Sequence, residues 1–96
     1  MIDLHIHSKY SYDSLLSPDK ILKVAKQKGL TGIAVTDHNT IKGGFVAEKI
    51  NKDRDFTIII GSEINTEIGD IIGLCISDEI QSRNSIEVIE EIKDQG

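Results

Sequence analysis

The sequence predicts an α/β fold, the N-terminal portion of a β/α barrel, because strand-like and helix-like stretches alternate along the chain. Short apolar runs at residues 2–7, 32–36 and 57–60 read as strands, and amphipathic stretches follow the first two. The run at 57–60, Thr-Ile-Ile-Ile, is typical of a parallel strand covered on both faces. The order strand, helix, strand, helix, strand pair, helix is typical of right-handed βαβ units.

The first strand carries ionisable side chains at every second position. Because alternate side chains of a strand share a face, Asp3, His5 and His7 are predicted to point the same way. The opposite, apolar face would hold Ile2, Leu4 and Ile6. Two imidazoles two residues apart are a common zinc, manganese or iron site, although a polar edge strand would show the same pattern.

The first helix has start and stop residues in the sequence. Ser17 is a suitable N-cap, Pro18 fits the first helical position, and Gly29 is placed to end the helix in a left-handed conformation. The predicted apolar stripe contains Ile21, Leu22, Val24 and Ala25.

The second strand, residues 32–36, runs into Asp37 and His38. Thr40 is predicted to cap a second helix, which Gly43 and Gly44 would weaken. The apolar residues of that helix are Ile41, Phe45, Val46 and Ile50.

The third strand, residues 57–60, is expected to deliver Glu63 just beyond its end. Residues 71–76 are predicted to return beside it across a turn at residues 67–70, in which Gly69 can take a positive φ. Asn84 and Glu87 form a possible capping box for a last helix. Its inward face is predicted to contain Ile86, Ile89 and Ile92.

The length of 96 residues is small for this fold, since a closed β/α barrel commonly needs over ~200 residues. We therefore expect residues 1–96 to form a single partial domain whose last parallel strand has an open edge. The open edge would favour self-association or association with a missing C-terminal part. An autonomous small α/β domain is the alternative interpretation.

Composition excludes some classes of protein. The net charge of −5 argues against a broad electrostatic grip on nucleic acid. No signal-peptide pattern or membrane-spanning run is present, so a cytoplasmic protein without a membrane partner is expected. Cys75, the single cysteine, lies in an apolar run and is predicted to be a buried thiol.

Residues with metal-binding chemistry gather at the predicted C-terminal ends of the strands, where β/α barrels hold their active sites. They are His5, His7, His38 and Glu63. Asp13 lies in the loop after the first strand, within reach of the same place. As strand neighbours, Asp37 and His38 are predicted to point to opposite faces, so Asp37 is expected to form hydrogen bonds around the site rather than to bind the same metal.

Four short segments together resemble the PHP family, the polymerase and histidinol phosphatase superfamily. They are Asp3-Leu4-His5-Ile6-His7-Ser8, Ser11-Tyr12-Asp13, Thr36-Asp37-His38-Asn39-Thr40 and Gly61-Ser62-Glu63-Ile64-Asn65. Gly69-Asp70-Ile71-Ile72-Gly73-Leu74 fits the strand that usually follows. Each segment is weak alone, but their order and spacing are specific.

The resemblance implies a distorted β/α barrel that holds up to three divalent metals, usually zinc, manganese or iron, and hydrolyses phosphoesters by a metal-bound hydroxide. His5 and His7 would then ligate one metal, Glu63 would bridge it to a second, and Asp13 with His38 would hold a third. The remaining family ligands come from later strands. The implied substrate is a phosphorylated small molecule, a nucleotide or a nucleic-acid end.

Two alternatives remain. An amidohydrolase barrel also opens with Asp-x-His-x-His but attacks carbon, and the segments around His38 and Glu63 favour the PHP interpretation over it. The other is a non-catalytic or proofreading PHP module of a DNA polymerase. Because all five early ligand positions are filled, we favour an active hydrolase.

Overall fold

A four-stranded sheet with three helices forms the protein in the computed structural model, which describes residues 1–10 and 16–96. The strands are β1 Ile2–Ile6, β2 Gly32–His38, β3 Thr57–Thr66 and β4 Gly69–Leu74. The helices are α1 Pro18–Gln27, α2 Lys42–Ile50 and α3 Ser85–Asp94. The predicted α/β class and element order are confirmed.

The sheet has the strand order β1-β2-β3-β4 and curls into a half-barrel. β1, β2 and β3 are parallel, and β4 returns antiparallel to β3. β4 pairs only with the part of β3 from Gly61 to Thr66. The open edge predicted for the last parallel strand is therefore confined to residues 57–60 of β3, and even there the N–H of Ile76 bonds to the carbonyl of Ile60.

All three helices pack on one face of the sheet. Ile33 and Val35 of β2 share a core cluster with residues of α1 and α2, and Ile64 of β3 shares a second cluster with Val88 of α3. Because side chains alternate along a strand, the neighbouring residues His38 and Glu63 point to the opposite face. The metal-binding candidates on β2 and β3 therefore lie on the concave side of the sheet.

The predicted boundaries of α1 are confirmed, but the hairpin turn is tighter than predicted, because β3 continues to Thr66 and β4 already begins at Gly69. α1 begins at Pro18, and Gly29 follows its end with a φ of +81°. Gly69, the first residue of β4, has the positive φ that was predicted for it, +120°. The stripe of α1 is narrower than predicted, since Val24 is 44% exposed while its other three members are buried.

α2 differs from its prediction at both its start and its packing face. It begins at Lys42 with Ile41 as N-cap, so Thr40 lies one residue further out, where its hydroxyl accepts from the N–H of Lys42. The helix buries two glycines and Ala47, whereas Phe45 is 49% exposed. Glycines allow this close approach, because a Cβ at Gly44 would lie 3.1 Å from the Cα of Ile60.

α3 is capped by Asn84 as predicted, but of the three residues predicted to face inward only Ile92 packs against the core. The side chain of Asn84 accepts from the N–H groups of Ile86 and Glu87. Ile86 is 68% exposed and Ile89 is 45% exposed, because the helix packs through the neighbouring stripe that contains Val88. Glu87 does not complete a reciprocal capping box; its carboxylate accepts from the hydroxyl of Ser82.

Cys75 is exposed, so the prediction of a buried thiol is wrong. Its φ of +59° turns the chain at the end of β4. The turn sends the next residue, Ile76, into the core instead, where it is 2% exposed. An apolar run in the sequence does not reveal such a left-handed residue.

No helix within the described residues is both long and apolar enough to cross a membrane.

Glu79, in the loop before α3, holds the start of α2 in place. Its carboxylate accepts from the N–H of Ile41 at 2.7 Å and from the hydroxyl of Thr40 at 2.9 Å. We expect Glu79→Ala to lower the free energy of unfolding by about 1 kcal/mol, as loss of a helix cap does. Urea denaturation measures this, with the exposed Glu90→Ala as control. Equal losses in both variants would contradict the assignment.

Candidate metal centre

A β-bulge in β1 sets the direction of the first histidines. Asp3 pairs with Ile33 of β2, but the next pair is Ile6 with Val35, so β1 contains one extra residue. The extra residue puts the side chain of Asp3 on a different face of β1 from the side chains of His5 and His7. The carboxylate of Asp3 accepts from the N–H of His5 at 3.0 Å, and it lines a small cavity beside α1. The prediction that Asp3 shares their face is wrong, because strict alternation does not survive a bulge.

His5 and His7 do converge, as their spacing predicts. Their Nε2 atoms lie 3.1 Å apart. The Oε1 atom of Glu63 lies 2.5 Å from Nε2 of His5 and 3.2 Å from Nε2 of His7. Three donor atoms from β1, the residue after it and β3 therefore meet at one point, which we call the first group.

Glu63 occupies the middle of this arrangement. It lies inside β3 rather than beyond its end, directly beside His38 in the register of β2 and β3. Its Oε2 atom lies 3.4 Å from Nδ1 of His38, while Oε1 faces the first group. The two oxygens of one side chain, which is 7% exposed, thus serve different histidines.

Asp70 joins a second group with His38 and Glu63, in which the ligand atoms all lie within 4.8 Å of one another. Our sequence interpretation placed Asp70 in the turn and missed it. The pairing of β3 with β4 explains why Asp70 lies near Glu63. Ile72 pairs with Glu63, and Asp70 lies two residues from Ile72 on the same face of β4. A tight hairpin with a carboxylate at this offset could have been detected from the sequence.

Glu63 is held in its ionised form. Burial alone would raise the pKa of its carboxyl group, but hydrogen bonding to His5 and Asp70 and the charge of His38 together lower the pKa below its usual value. An ionised carboxylate is the form that binds a metal cation.

Asp37 supports the site from behind. As predicted, it points away from His38, and it is fully buried. Its carboxylate accepts from both the N–H and the hydroxyl of Ser8, the residue after His7. A Cβ at Gly43 would collide with Asp37 and Ser8, so a glycine is required there. Asp37 therefore fixes the chain at His7 without touching either group.

The donor atoms fit a divalent metal. Ligands about 2.0–2.2 Å from an ion lie about 3.0–3.5 Å from each other, which fits the 3.1 Å between the two Nε2 atoms and the 3.2 Å from Nε2 of His7 to Oε1 of Glu63. The 2.5 Å between Nε2 of His5 and Oε1 of Glu63 is a hydrogen bond, and these two atoms would have to separate to bind one ion. Imidazole and carboxylate together suit zinc, manganese or iron. The side chain of His5 is 53% exposed, so the first group is open to solvent on that side. Asp13, the other predicted ligand, lies outside the described residues.

A mainly parallel half-barrel with histidines and a shared carboxylate at its strand ends is a β/α protein with a candidate metal centre. The chain matches the PHP domain family over residues 3–96, and it belongs to that family.

Several curated proteins are similar to the chain, which spans only part of their length. The uncharacterized protein MJ1587 of Methanocaldococcus jannaschii is 47% identical over 98% of this chain and 61% of its own length. A 5'-3' exoribonuclease of Haemophilus influenzae is 41% identical over 67% of this chain and 23% of its own length. A probable histidinol-phosphatase of Thermotoga maritima is 32% identical over 58% of the chain and 24% of its own length.

Solved structures show the same fold. A two-domain protein of Bacteroides vulgatus, described as containing a predicted PHP-like metal-dependent phosphoesterase, matches with a TM-score of 0.85 at 23% identity. The match covers 99% of this chain and 32% of that protein. An amidohydrolase of Chromobacterium violaceum, with bound sulfate and no metal, matches with a TM-score of 0.70 at 28% identity, covering 97% of this chain and 32% of that protein.

Proposed function

We propose that this chain is part of a phosphoesterase that uses divalent metals, zinc, manganese or iron, held by His5, His7, His38 and Glu63. The observation that supports the proposal most is the position of Glu63, whose two oxygens face separate histidines. A carboxylate so placed can serve two neighbouring metals. Asp13 would contribute a further ligand, and Asp37 would position the site without binding metal.

The residues of the site would have different roles. His5 and His7 orient donor nitrogens toward the open side of the site, and Glu63 offsets the positive charge that gathers there. Bound metals would activate a water as the nucleophile and neutralise charge on the phosphate. Water activated in this way is the nucleophile of the proposal, since the sequence shows no Ser or Cys nucleophile with a paired base.

Replacing His7 tests this proposal. In the whole protein, His7→Ala should reduce hydrolysis of p-nitrophenyl phosphate and its bis-ester by more than about 100-fold, because a metal loses a ligand. The exposed Glu90→Ala variant should retain wild-type turnover, and circular dichroism should show both variants folded. Undiminished turnover of His7→Ala in metal-replete buffer would refute the proposal.

A polymerase module is the second candidate function. An error-prone DNA polymerase of Idiomarina loihiensis is 34% identical to this chain. The match covers 75% of this chain and 7% of the polymerase. A chain serving as such a module would bind metal in the same place, yet the whole protein would extend DNA primers. A primer-extension assay therefore separates the two proposals, and an assay with amide substrates tests the amidohydrolase alternative.

A further inference from the structure

Asn39 follows His38 at the point where the chain leaves β2. Its φ of +56° is left-handed, a conformation that asparagine tolerates better than most other residues with a side chain. Its N–H donates to the carbonyl of Glu63 at 2.9 Å, while its side-chain Oδ1 accepts from the N–H of Asn65 at 3.0 Å. Asn39 is therefore bonded to β3 at two successive places along that strand.

The side chain of Asn39 takes the place of a backbone group in the parallel ladder. His38 pairs with Glu63, so a continued strand would place Asn39 opposite Ile64. A residue in that place donates its N–H to the carbonyl before its partner, and its own carbonyl accepts from the N–H after its partner. Asn39 forms the first bond with its backbone and the second with its side-chain carbonyl. The ladder between β2 and β3 thus extends one residue beyond the end of β2, although the main chain has already turned toward α2.

Asn39 is tied to the backbone beside every member of the second group. It follows His38 directly and bonds to the carbonyl of Glu63. It also bonds to the N–H of Asn65, and Asn65 pairs with Asp70 in the hairpin. Nδ1 of His38 and Oε2 of Glu63 lie 3.4 Å apart, so a small shift of the end of β2 against β3 would change the distance between these two ligand atoms. The bonds of Asn39 oppose such a shift.

We propose that Asn39 is a positioning residue of the metal centre, which holds His38 at the distance from Glu63 that a metal bound by both requires; this rests on the metal binding in the proposed function. Polar groups that orient metal ligands change metal affinity by about 10–100-fold when they are removed. Substitution separates the two properties of Asn39. Asn39→Gly keeps the left-handed backbone but removes the side-chain carbonyl, whereas Asn39→Asp keeps an acceptor oxygen and still tolerates the conformation.

Hydrogen exchange at the N–H of Asn65, followed by NMR in the metal-free whole protein, tests the contact without metal or turnover. This N–H should exchange about tenfold faster in Asn39→Gly than in the wild type, because it loses its acceptor, and as slowly in Asn39→Asp as in the wild type. The control Asn51→Gly removes side-chain bonds in the loop before β3, at the far end of that strand, and should leave the exchange unchanged. Unchanged exchange in Asn39→Gly would overturn the proposal.

Cobalt titration of the same whole-protein variants, followed by the visible absorption of bound Co²⁺, tests whether the contact matters for metal binding. Asn39→Gly should bind one cobalt ion about tenfold more weakly than the wild type, and Asp70→Asn should weaken the same step of the titration, which identifies the second group. Asn39→Asp should bind this ion at least as tightly as the wild type, and Asn51→Gly should bind it equally. Equal affinity and equal spectra in the wild type and Asn39→Gly would overturn the proposal.

The outcomes separate this proposal from the proposed function. A cobalt affinity that depends on the side chain of Asn39, in a protein without phosphoester turnover, would support the positioning role and contradict the phosphoesterase. Turnover in a protein whose cobalt affinity is the same with and without that side chain would do the reverse. A wild-type protein that binds no cobalt would overturn both.

Discussion

Gly43→Ala is expected to destabilise the protein by about 2–3 kcal/mol, as overpacking of a buried contact does. The added Cβ would overlap the carboxylate of Asp37 and the hydroxyl of Ser8. Either α2 or the segment after His7 must then move, so metal affinity should fall together with stability. Urea denaturation and metal titration of the same variant measure both effects.

A double-mutant cycle shows whether the contact is the cause. In an Asp37→Ala background the colliding carboxylate is gone, so Gly43→Ala should cost clearly less than in the wild type. Lys49→Ala, an exposed change in the same helix, should cost little in either background. An equal cost of Gly43→Ala with and without Asp37 would show that the glycine is not required for this contact.

Glu63→Gln is expected to remove metal from two sites together. The substitution keeps the size of the side chain but removes the charge that both groups share, whereas each histidine serves one group. Asp70→Asn should weaken mainly the group of His38, Glu63 and Asp70. Asp13→Asn is expected to weaken mainly the third site, which the family resemblance assigns to Asp13 with His38. Elemental analysis of the purified whole-protein variants counts the metals. A full complement in Glu63→Gln would mean that Glu63 is not a shared ligand.

Local sequence patterns predicted the parts of the site that depend on local geometry. The spacing of His5 and His7 places their ring nitrogens together, and the parallel pairing of β2 with β3 places Glu63 beside His38. The alternation of Asp37 and His38 correctly placed Asp37 behind the site. These features need only strand periodicity and the parallel order of the strands.

Features that depend on register or on packing between elements escaped prediction. The bulge that turns Asp3 away exists only in the pairing of β1 with β2, and Asp70 reaches Glu63 only through the hairpin register. The sequence predicted only that Gly43 would weaken α2. It does not show that the side chain of Asp37 packs against this glycine. The exposed stripe of Ile86 and Ile89 similarly reflects which side of α3 meets the sheet.

The central claim is that His5, His7 and Glu63 hold a metal ion. Anomalous X-ray diffraction from crystals of the whole protein grown with zinc or manganese tests it most directly, since the absorption edge identifies the element. We expect an anomalous peak about 2.0–2.2 Å from Nε2 of His5, Nε2 of His7 and Oε1 of Glu63. Anomalous peaks only at other residues, with these three side chains still bonded to each other, would contradict it.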